Sequence, residues 1–339
     1  MRVAVVGAGS WGTTVAALAT HNASSVVLWA RRAELADVID TDHENPDYLP
    51  GRALPASLRA TADLAGALSG AEAVVLAVPS HGLRGVLGEA RTAVPAGVPV
   101  VSLAKGLESG SLKRMTEVVT DVLDGHPPER VGVLTGPNLA VEVVAGMPTA
   151  SVVAMVDPDG AECLQRLFMT SAFRVYTNPD VVGCEIAGVI KNVVAIAAGV
   201  AQGLGVGDNA LAALITRGLA ELTRLGLALG GNPLSFLGLA GIGDLVVTCT
   251  SEKSRNRHVG VELGRGRPLN DILGEMNMVA EGVRSTAAVL ALAQRSGVEM
   301  PIATQVQAVL AGERSPSEGL ALLMGREAKP ELEGIRIIP

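Results

Sequence analysis

The sequence predicts an α/β fold, with a doubly wound, mostly parallel (Rossmann-type) sheet followed by an all-helical second domain. Three observations predict this class. Short Val-rich runs alternate with helical segments from the N-terminus, a glycine-rich loop follows the first run, and strand-like runs stop near Pro179. Such alternation, with nearly continuous apolar strands, is typical of a parallel sheet covered by helices.

The strand-like runs lie at 2–6, 25–29, 73–78, 98–103, 131–134, 150–155 and 173–176, and the first helix is expected at 10–20. From Gly183 onward the chain consists of long Ala-, Leu- and Val-rich helical stretches interrupted by Gly and Pro. We therefore expect a dinucleotide-binding domain at residues 1–178 and a helical substrate-binding domain at residues 179–339.

Composition restricts the class of protein. The 339 residues are 48% apolar but only 2% aromatic, and the net charge is −7 without any basic block. This length favours two domains, and this charge argues against a nucleic-acid partner. Three widely spaced cysteines without a C-x-x-C motif argue against a disulfide framework and a zinc site. We expect no metal, and a reducing cytoplasmic location.

The chain is hydrophobic enough for a membrane span to be considered. The longest uncharged run, 3–30, contains three glycines together with His21 and Asn22, and a second, 225–243, is broken by Gly-Gly-Asn-Pro. Neither is a continuous apolar helix, and the first residues read as a strand rather than a signal peptide. We therefore expect no membrane span.

The loop after the first strand has the pattern G-x-G-x-x-G, with Gly7, Gly9 and Gly12. In a strand–loop–helix context, the first glycine permits the tight turn, the second lets the backbone approach a pyrophosphate, and the third lets the helix pack closely. The free N–H groups of the helix then bind the pyrophosphate. The alternative is an ordinary strand–helix turn that uses glycine.

The end of the second strand distinguishes the two nicotinamide cofactors. NAD-specific units carry a carboxylate there for the ribose 2′-hydroxyl, whereas this chain has Arg31 and Arg32, with no carboxylate before Glu34. Arginines suit a 2′-phosphate. We expect NADP(H) to be preferred, with NAD(H) possible; the alternative is a pair of solvated arginines at a helix start.

Lys191 lies in the middle of a helical segment that is apolar on nearly every side. Lysine is almost never buried without a partner, and partial desolvation lowers the pKa of a lysine. A lysine facing a cleft is therefore a candidate base for the hydroxyl proton in hydride transfer, with Asn192 as a neutral hydrogen-bonding neighbour. The alternative is a helix with Lys191 on its one solvated stripe.

A polar cluster follows in the second half of the chain. If the segment is helical, Asp244 and Thr248 share a face, and Asp244 can orient a lysine ammonium. Ser254 can cap a helix whose N–H groups, with Arg255 and Asn256, hold a phosphate. The alternative is a solvated, charge-rich loop.

Two loops of the first domain follow predicted strands. Lys105 comes after the strand that ends near 103, and Gly136 and Asn138 follow the strand that ends near 134. Open α/β sheets bind ligands beyond the carboxyl ends of their strands, so both loops are candidate ligand contacts.

Together these segments resemble the bacterial-type NAD(P)-dependent glycerol-3-phosphate dehydrogenases over nearly the whole chain. The matching motifs are GAGSWGT (7–13), LWARR (28–32), YLPG (48–51), AVPS (77–80), KG-E (105–108), GPN-A-E (136–142), KNV-AIAAG (191–199), GLG-GDNA-AALITRGLAE (203–221), GLAG-GDL--TCTS--SRNR (238–257) and VAEGV (279–283).

The resemblance implies reversible reduction of dihydroxyacetone phosphate to sn-glycerol 3-phosphate for glycerophospholipid synthesis, by a homodimer. By position it implies that Lys191 is the proton acceptor. The implied cofactor contacts are Ser10, Trp11, Arg31, Arg32, Lys105, Ala140, Arg255, Val279 and Glu281. The implied substrate contacts are Lys105, Gly136, Asn138, Lys191, Asp244, Ser254, Arg255 and Asn256. Many members have Ser-Phe where this chain has Asn138-Leu139, which leaves the contact made by Asn138 open.

Two other functions are compatible with the same motifs. One is a related reductase of another small hydroxy acid, against which the Ser254–Asn256 cluster argues because it suits a phosphorylated substrate. The other is an inactive NADP(H)-sensing module, in which Lys191 is only structural.

Overall fold

A computed structural model describes residues 1–276, 280–328 and 330–331. Its strands are β1 (Arg2–Val6), β2 (Ser25–Trp29), β3 (Glu44–Asn45), β4 (Leu49–Ala53), β5 (Leu58–Thr61), β6 (Ala73–Leu76), β7 (Val100–Ser102), β8 (Val131–Thr135), β9 (Thr149–Ala154) and β10 (Phe173–Asn178). Eight strands form one sheet in the order β10-β9-β8-β7-β6-β1-β2-β5. Neighbouring strands are parallel except β8 and β9, where Val133 lies opposite Ala154. The prediction of a doubly wound, mostly parallel sheet is confirmed.

The helices of the first half of the chain are α1 (Ser10–Ala19), α2 (Ala33–Asp42), α3 (Leu64–Leu68), α4 (Leu83–Ala90), α5 (Met115–Val122), α6 (Ala140–Val143) and α7 (Pro158–Phe168). The second half contains α8 (Val181–Gly203), α9 (Asp208–Ala228), α10 (Pro233–Phe236), α11 (Asp244–Thr250), α12 (Arg255–Gly264), α13 (Leu269–Gly274), α14 (Glu281–Arg295), α15 (Pro301–Leu310) and α16 (Pro316–Met324). A short π-helix, Leu239–Gly243, precedes α11. The predicted all-helical second part is confirmed for the described residues.

Three strands were not predicted. β3 and β4 pair only with each other, and β5 forms the edge of the main sheet beside β2. β3 has two residues, and β4 contains Pro and Gly, so neither shows the Val-rich pattern by which the other strands are recognised. Leu58–Thr61 includes an arginine and a threonine, as a partly solvated edge strand can.

The chain divides into two compact units. Met1–Lys105 and Lys113–Val181 form the first, whereas Gly106–Leu112 and the described residues from Val182 onward form the second. The observed division thus falls three residues after the predicted one at 178/179, and the segment 106–112 joins the second unit. The ligand assigned to each domain stays a prediction.

Each unit has its own core. In the first, Val, Leu and Ala side chains from the strands pack against covering helices such as α1 and α7, with Phe168 and Phe173 fully buried. In the second, α8 is central, and the side chains of Ile190 and Val194 are 1% exposed. Aliphatic side chains thus form most of both cores, as the low aromatic content requires.

Two helical stretches are long and apolar enough to cross a bilayer by length and composition alone. They are Val181–Gly203, with mean hydropathy 1.8, and Pro233–Thr250, with mean hydropathy 1.5. The first is 94% buried inside the protein and the second 44%. A buried core helix such as α8 meets the same criterion, so the expected absence of a membrane span stays a prediction.

Candidate active site

The glycine loop between β1 and α1 contains two glycines that are closely packed against backbone and one that faces open space. Gly7 has φ of 119°, and a Cβ there would lie 2.8 Å from the carbonyl of Ala77. A Cβ on Gly12 would lie 2.0 Å from the carbonyl oxygen of Gly7. A Cβ on Gly9, in contrast, would meet nothing within 4 Å. Gly7 and Gly12 are therefore required by packing, whereas Gly9 leaves room beside the backbone, as a bound pyrophosphate requires.

The start of α1 fits an anionic ligand. Gly9 is the N-cap of the helix and provides no side chain to satisfy its first N–H groups. The indole Nε1–H of Trp11 is buried without a hydrogen-bond acceptor among the described residues. Since a buried donor without a partner is costly, an acceptor supplied by a ligand would satisfy Trp11.

A short segment, residues 45–48, is fixed on this loop. The side chain of Asn45 is fully buried, and its Nδ2 donates to the carbonyl of Ala8 at 3.0 Å and to Thr13 Oγ1 at 2.8 Å. Ser10 Oγ donates to the carbonyl of Tyr48 at 2.8 Å. Both ends of the segment are therefore tied to the glycine loop and α1; we name residues 45–48 the anchored segment.

The two arginines after β2 differ in their surroundings. Arg31 is exposed and forms no ion pair within the part of the chain that the structure describes. Arg32 is the N-cap residue of α2, and its guanidinium forms an ion pair with Asp47 of the anchored segment. The hydrogen bond that the Arg32 guanidinium donates to Asp47 raises the pKa of Arg32. The prediction of a 2′-phosphate site therefore rests on one unpaired and one paired arginine.

Lys105, Gly136 and Asn138 come together in the first unit. Lys105 Nζ donates to the carbonyl of Gly136 at 3.2 Å. Asn138 Nδ2 donates to Ser151 Oγ at 3.1 Å, and Ser151 Oγ donates to the carbonyl of Thr135 at 2.8 Å. Asn138 Oδ1 is then left as a buried acceptor without a partner among the described residues. This group of atoms fits a ligand that carries hydroxyl or amide donors.

Lys191 lies in α8 with 6% of its surface exposed. Its Nζ donates to Asp244 Oδ1 at 2.6 Å and to Thr248 Oγ1 at 2.8 Å. Thr248 Oγ1 donates in turn to the carbonyl of Asp244 at 2.5 Å. The alternative of a lysine on a solvated stripe is therefore wrong. The spacing of one helical turn in α11 brings both acceptors to the same ammonium group.

Cys249 lies next to Thr248 but does not contribute a nucleophile at neutral pH. Its side chain is fully buried, and burial raises the pKa of the thiol to about 12. A thiol with such a pKa stays protonated and unreactive. Two charged groups act on this thiol among the described residues, Lys191 and Asp244, and both are candidates for proton transfer.

The polar cluster at the start of α12 is helical rather than a solvated loop. Ser254 is its N-cap, and its Oγ accepts from the backbone N–H of Arg257 at 3.3 Å. Arg255 is exposed at the first helical position and forms no ion pair within the described residues. The start of a helix next to an exposed arginine is suited to a phosphate.

The amide of Asn256 already has partners at both ends. Nδ2 donates to Asn192 Oδ1 at 3.0 Å, and Oδ1 accepts from the backbone N–H of Gly282 at 2.9 Å. Asn192 and Asn256 thus link α8, α12 and the start of α14. In this structure the two asparagines join the helix that carries Lys191 to the helix that Ser254 caps. The sequence did not indicate this contact.

The helices α8 and α12 cross at contact distance through four glycines. A Cβ on Gly199 would lie 2.1 Å from the carbonyl of Arg257, and one on Gly260 would lie 2.1 Å from the carbonyl of Ile196. Gly203 and Gly264 face each other in the same way, with 2.9 Å from either Cβ to the opposite Cα. This crossing determines the distance between Lys191 and the start of α12.

The remaining predicted contacts lie at helix starts. Ala140 is the first residue of α6 and Glu281 the first residue of α14. Val279 lies outside the described residues, so the structure does not describe its surroundings. The sequence interpretation gave no role to Asn45, Asp47 or Ser151. For the first two, the only signal in the sequence was the turn-forming dipeptide Asn45-Pro46, which Asp47 follows directly.

Comparison with known proteins identifies the family. Residues 2–161 match the profile described as NAD-dependent glycerol-3-phosphate dehydrogenase N-terminus, and residues 180–321 match the corresponding C-terminus profile. A protein of Sphingopyxis alaskensis named glycerol-3-phosphate dehydrogenase (NAD(P)+) 2 is 56% identical, covering 97% of this chain and 99% of its own length. A glycerol-3-phosphate dehydrogenase (NAD(P)+) of Chlorobium luteolum is 51% identical, covering 98% and 99%.

A solved structure agrees with these matches. The crystal structure of glycerol-3-phosphate dehydrogenase from Coxiella burnetii superposes with a TM-score of 0.91 at 37% identity, over 96% of this chain and 99% of that one. A ketopantoate reductase from Ralstonia eutropha, at 17% identity and a TM-score of 0.60, shares the fold alone. With a predicted fold confirmed and both halves of the chain matched, this chain belongs to the family of NAD-dependent glycerol-3-phosphate dehydrogenases.

Proposed function

We propose that this chain is a glycerol-3-phosphate dehydrogenase, which reduces dihydroxyacetone phosphate to sn-glycerol 3-phosphate with NAD(P)H and catalyses the reverse reaction. The observation that carries the proposal is the buried ion pair of Lys191 and Asp244, with Thr248 as second acceptor, in a chain of this family. Such an activity supplies the backbone of glycerophospholipids.

The proton chemistry belongs to Lys191. When bound, the nicotinamide cofactor supplies the hydride for the carbonyl carbon of the substrate. Negative charge then develops on the carbonyl oxygen, and the Lys191 ammonium donates a proton from Nζ to it; in the reverse direction Nζ takes the hydroxyl proton. Asp244 and Thr248 hold Nζ in place, and the carboxylate offsets the cost of burying the ammonium charge.

The substrate phosphate is assigned to the start of α12. Its N-terminal N–H groups and the exposed Arg255 guanidinium offer donors and positive charge, with Ser254 as the N-cap. Lys105, Gly136 and Asn138 remain proposed substrate contacts by family position, and Asn138 Oδ1 is a buried acceptor that a substrate hydroxyl would satisfy. Asn192 and Asn256 are assigned to positioning, since they bind each other.

The cofactor is assigned to the glycine loop, with Gly9 beside the pyrophosphate and the Trp11 indole as a further donor. Arg31 and Arg32 support a preference for NADP(H), with NAD(H) also accepted. Ala140, Val279, Glu281 and Arg255 remain proposed cofactor contacts by family position. A homodimer that acts on a small phosphorylated substrate is likewise inferred from the family, and a cytoplasmic location from the three widely spaced cysteines, which have no C-x-x-C motif.

The decisive experiment is oxidation of NADPH and NADH by the purified protein with dihydroxyacetone phosphate as substrate. We expect robust turnover, a lower KM for NADPH, and a fall in kcat of about 10²–10⁴-fold in Lys191→Ala. The variant Lys113→Ala controls for loss of an ion-paired lysine as such, because Lys113 is partly exposed and pairs with Asp121 in the first unit, whereas Lys191 lies in the second. Normal turnover by folded Lys191→Ala would refute the mechanism, and a clear preference for NADH would refute the assignment of Arg31 and Arg32.

A further inference from the structure

The carboxylate of Asp47 lies where the cofactors differ. In a dinucleotide-binding unit, the ribose 2′ group is recognised just after the second strand. β2 ends at Trp29, and Arg32 follows as the N-cap of α2. The ion pair with Asp47 therefore brings a negative charge next to the arginine that suits a 2′-phosphate.

The position of Asp47 beside Arg32 is fixed by hydrogen bonds on either side of it. It belongs to the anchored segment, in which Asn45 is bound to Ala8 and Thr13, and Tyr48 is bound through its carbonyl to Ser10. A further bond, from the backbone N–H of Tyr48 to Asn45 Oδ1 at 3.2 Å, closes a turn around Asp47. The same glycine loop that is assigned to the pyrophosphate thus fixes the position of this carboxylate.

The charges at this position favour the two cofactors differently. A carboxylate accepts a hydrogen bond from a free ribose 2′-hydroxyl but repels a 2′-phosphate. It also neutralises part of the guanidinium charge that would bind the phosphate. The two side chains are 53% and 45% exposed, so the pair can open when a ligand competes for Arg32.

We propose that Asp47 is a specificity-determining residue that competes with the cofactor 2′-phosphate for Arg32 and so enables this chain to use NAD(H) beside NADP(H). The inference rests on the proposed cofactor site but not on the identity of the substrate. The balance between the two cofactors is thereby assigned to a residue outside the β2–α2 turn. The residue that distinguishes NAD from NADP in such units is ordinarily sought within that turn.

The test is direct binding, without turnover, to wild type and Asp47→Asn. The ligands are NADPH and NADH, and the fragments adenosine 2′,5′-bisphosphate and adenosine 5′-monophosphate. We expect Asp47→Asn to tighten binding of both 2′-phosphorylated ligands by about threefold to tenfold, a gain that shrinks at high salt, and to leave the other two unchanged or weaker. Glu44→Gln is the matched control, because Glu44 precedes the anchored segment directly, and its exposed carboxylate forms no ion pair within the described residues.

The role of Arg32 is tested by a double-mutant cycle with Arg32→Gln. If Asp47 competes for Arg32, most of the gain from Asp47→Asn disappears in the Arg32→Gln background. An equal gain in both backgrounds, an equal gain for phosphorylated and unphosphorylated ligands, or no gain would overturn the proposal. Absence of binding by both NADPH and NADH would overturn the proposed cofactor site, and this inference with it, whereas a failure of dihydroxyacetone phosphate turnover alone would leave the binding result valid.

Discussion

At the scale of single residues, the orientation of one amide decides what Asn138 can bind. Ser151 Oγ donates to the carbonyl of Thr135, so it must accept from Asn138, and the Nδ2 end of the amide is thereby turned toward Ser151. The Oδ1 end is left as a buried acceptor. Asn138 therefore presents a buried acceptor, and its bond to Ser151 keeps the amide from turning this end into a donor.

This orientation can be tested with Ser151→Ala. Without the serine the amide is free to turn, and we expect the KM for dihydroxyacetone phosphate to rise by about threefold to tenfold with little change in kcat. Asn138→Ala should raise KM by at least as much. In the double variant the loss of Ser151 should add almost nothing to the loss of Asn138. If the two effects added in full, Ser151 would act on the structure in general and not through Asn138.

The sequence predicted most of these residues and the pairing of Asp244 with a lysine, which the structure shows for Lys191, but not the other partners. Lys191 was conspicuous because a lysine in an apolar helix needs a reason, and Asp244 and Thr248 because they share a helical face. The pairing of Asn192 with Asn256 was not predictable, since it joins residues 64 positions apart on different helices. The same holds for Arg32 and Asp47, whose contact depends on how a loop without strand signals is folded.

At the scale of secondary-structure elements, the crossing of α8 and α12 brings the predicted proton donor and phosphate site to a fixed separation. Glycines at i and i+4 on both helices let their backbones touch, as in small-residue helix pairs. The sequence shows these glycines but not which helix each one faces. Glycines spaced four residues apart occur often in a Gly-rich chain. Only the structure shows that 199 and 203 face 260 and 264.

We expect Gly260→Ala to separate the two helices. The new Cβ would lie 2.1 Å from the carbonyl oxygen of Ile196, which is backbone and cannot turn away. Overpacking of this kind costs about 1–3 kcal/mol of stability and should also lower kcat/KM, because Ser254–Asn256 move relative to Lys191. The measurements are urea unfolding and the dihydroxyacetone phosphate assay.

The matched control is Gly274→Ala. Gly274 ends α13 in the same unit, and a Cβ there meets nothing within 4 Å. It should leave activity unchanged and stability equal or slightly higher, since alanine restricts the unfolded chain more than glycine does. Comparable losses in Gly260→Ala and Gly274→Ala would show that the α8–α12 contact is not as tight as we infer.

At the scale of the whole molecule, hydrophobic pattern was enough to predict the sheet and the helical second part. Strands that are buried on both faces are continuous apolar runs, and such runs can be recognised directly in the sequence. The edge strand β5 and the β3–β4 hairpin were missed because partly solvated strands lack that run. The transfer of 106–112 to the second unit was equally invisible, since it depends on long-range packing and not on local pattern.

The stability of the whole chain should depend on pH through one buried carboxyl. Glu221 of α9 is 3% exposed, and it accepts the backbone N–H groups of Ile302 and Ala303, at the start of α15, at 2.6 and 3.3 Å. Burial raises the pKa of Glu221 from 4.5 to about 7, although these two bonds and the charges of Arg224 and Arg326 oppose the shift. Glu221 therefore joins two helices, at the cost of burying a negative charge above neutrality.

The sign of the effect follows from the two pKa values. Because the pKa of the folded state, about 7, lies above the ordinary value of 4.5, the folded chain binds the proton more tightly than the unfolded chain. The stability that protonated Glu221 contributes is thus fully present below about pH 4.5 and is lost as the pH rises through about 7. We expect the unfolding free energy of wild type relative to Glu221→Gln, which cannot ionise, to fall by roughly 3 kcal/mol across that range.

Urea unfolding in buffers at about pH 5, 6, 7 and 8 measures this difference in unfolding free energy, and the exposed Glu313→Gln is the control. A difference between wild type and Glu221→Gln that stays constant with pH would mean that the carboxyl at 221 ionises equally easily in the folded and unfolded chain.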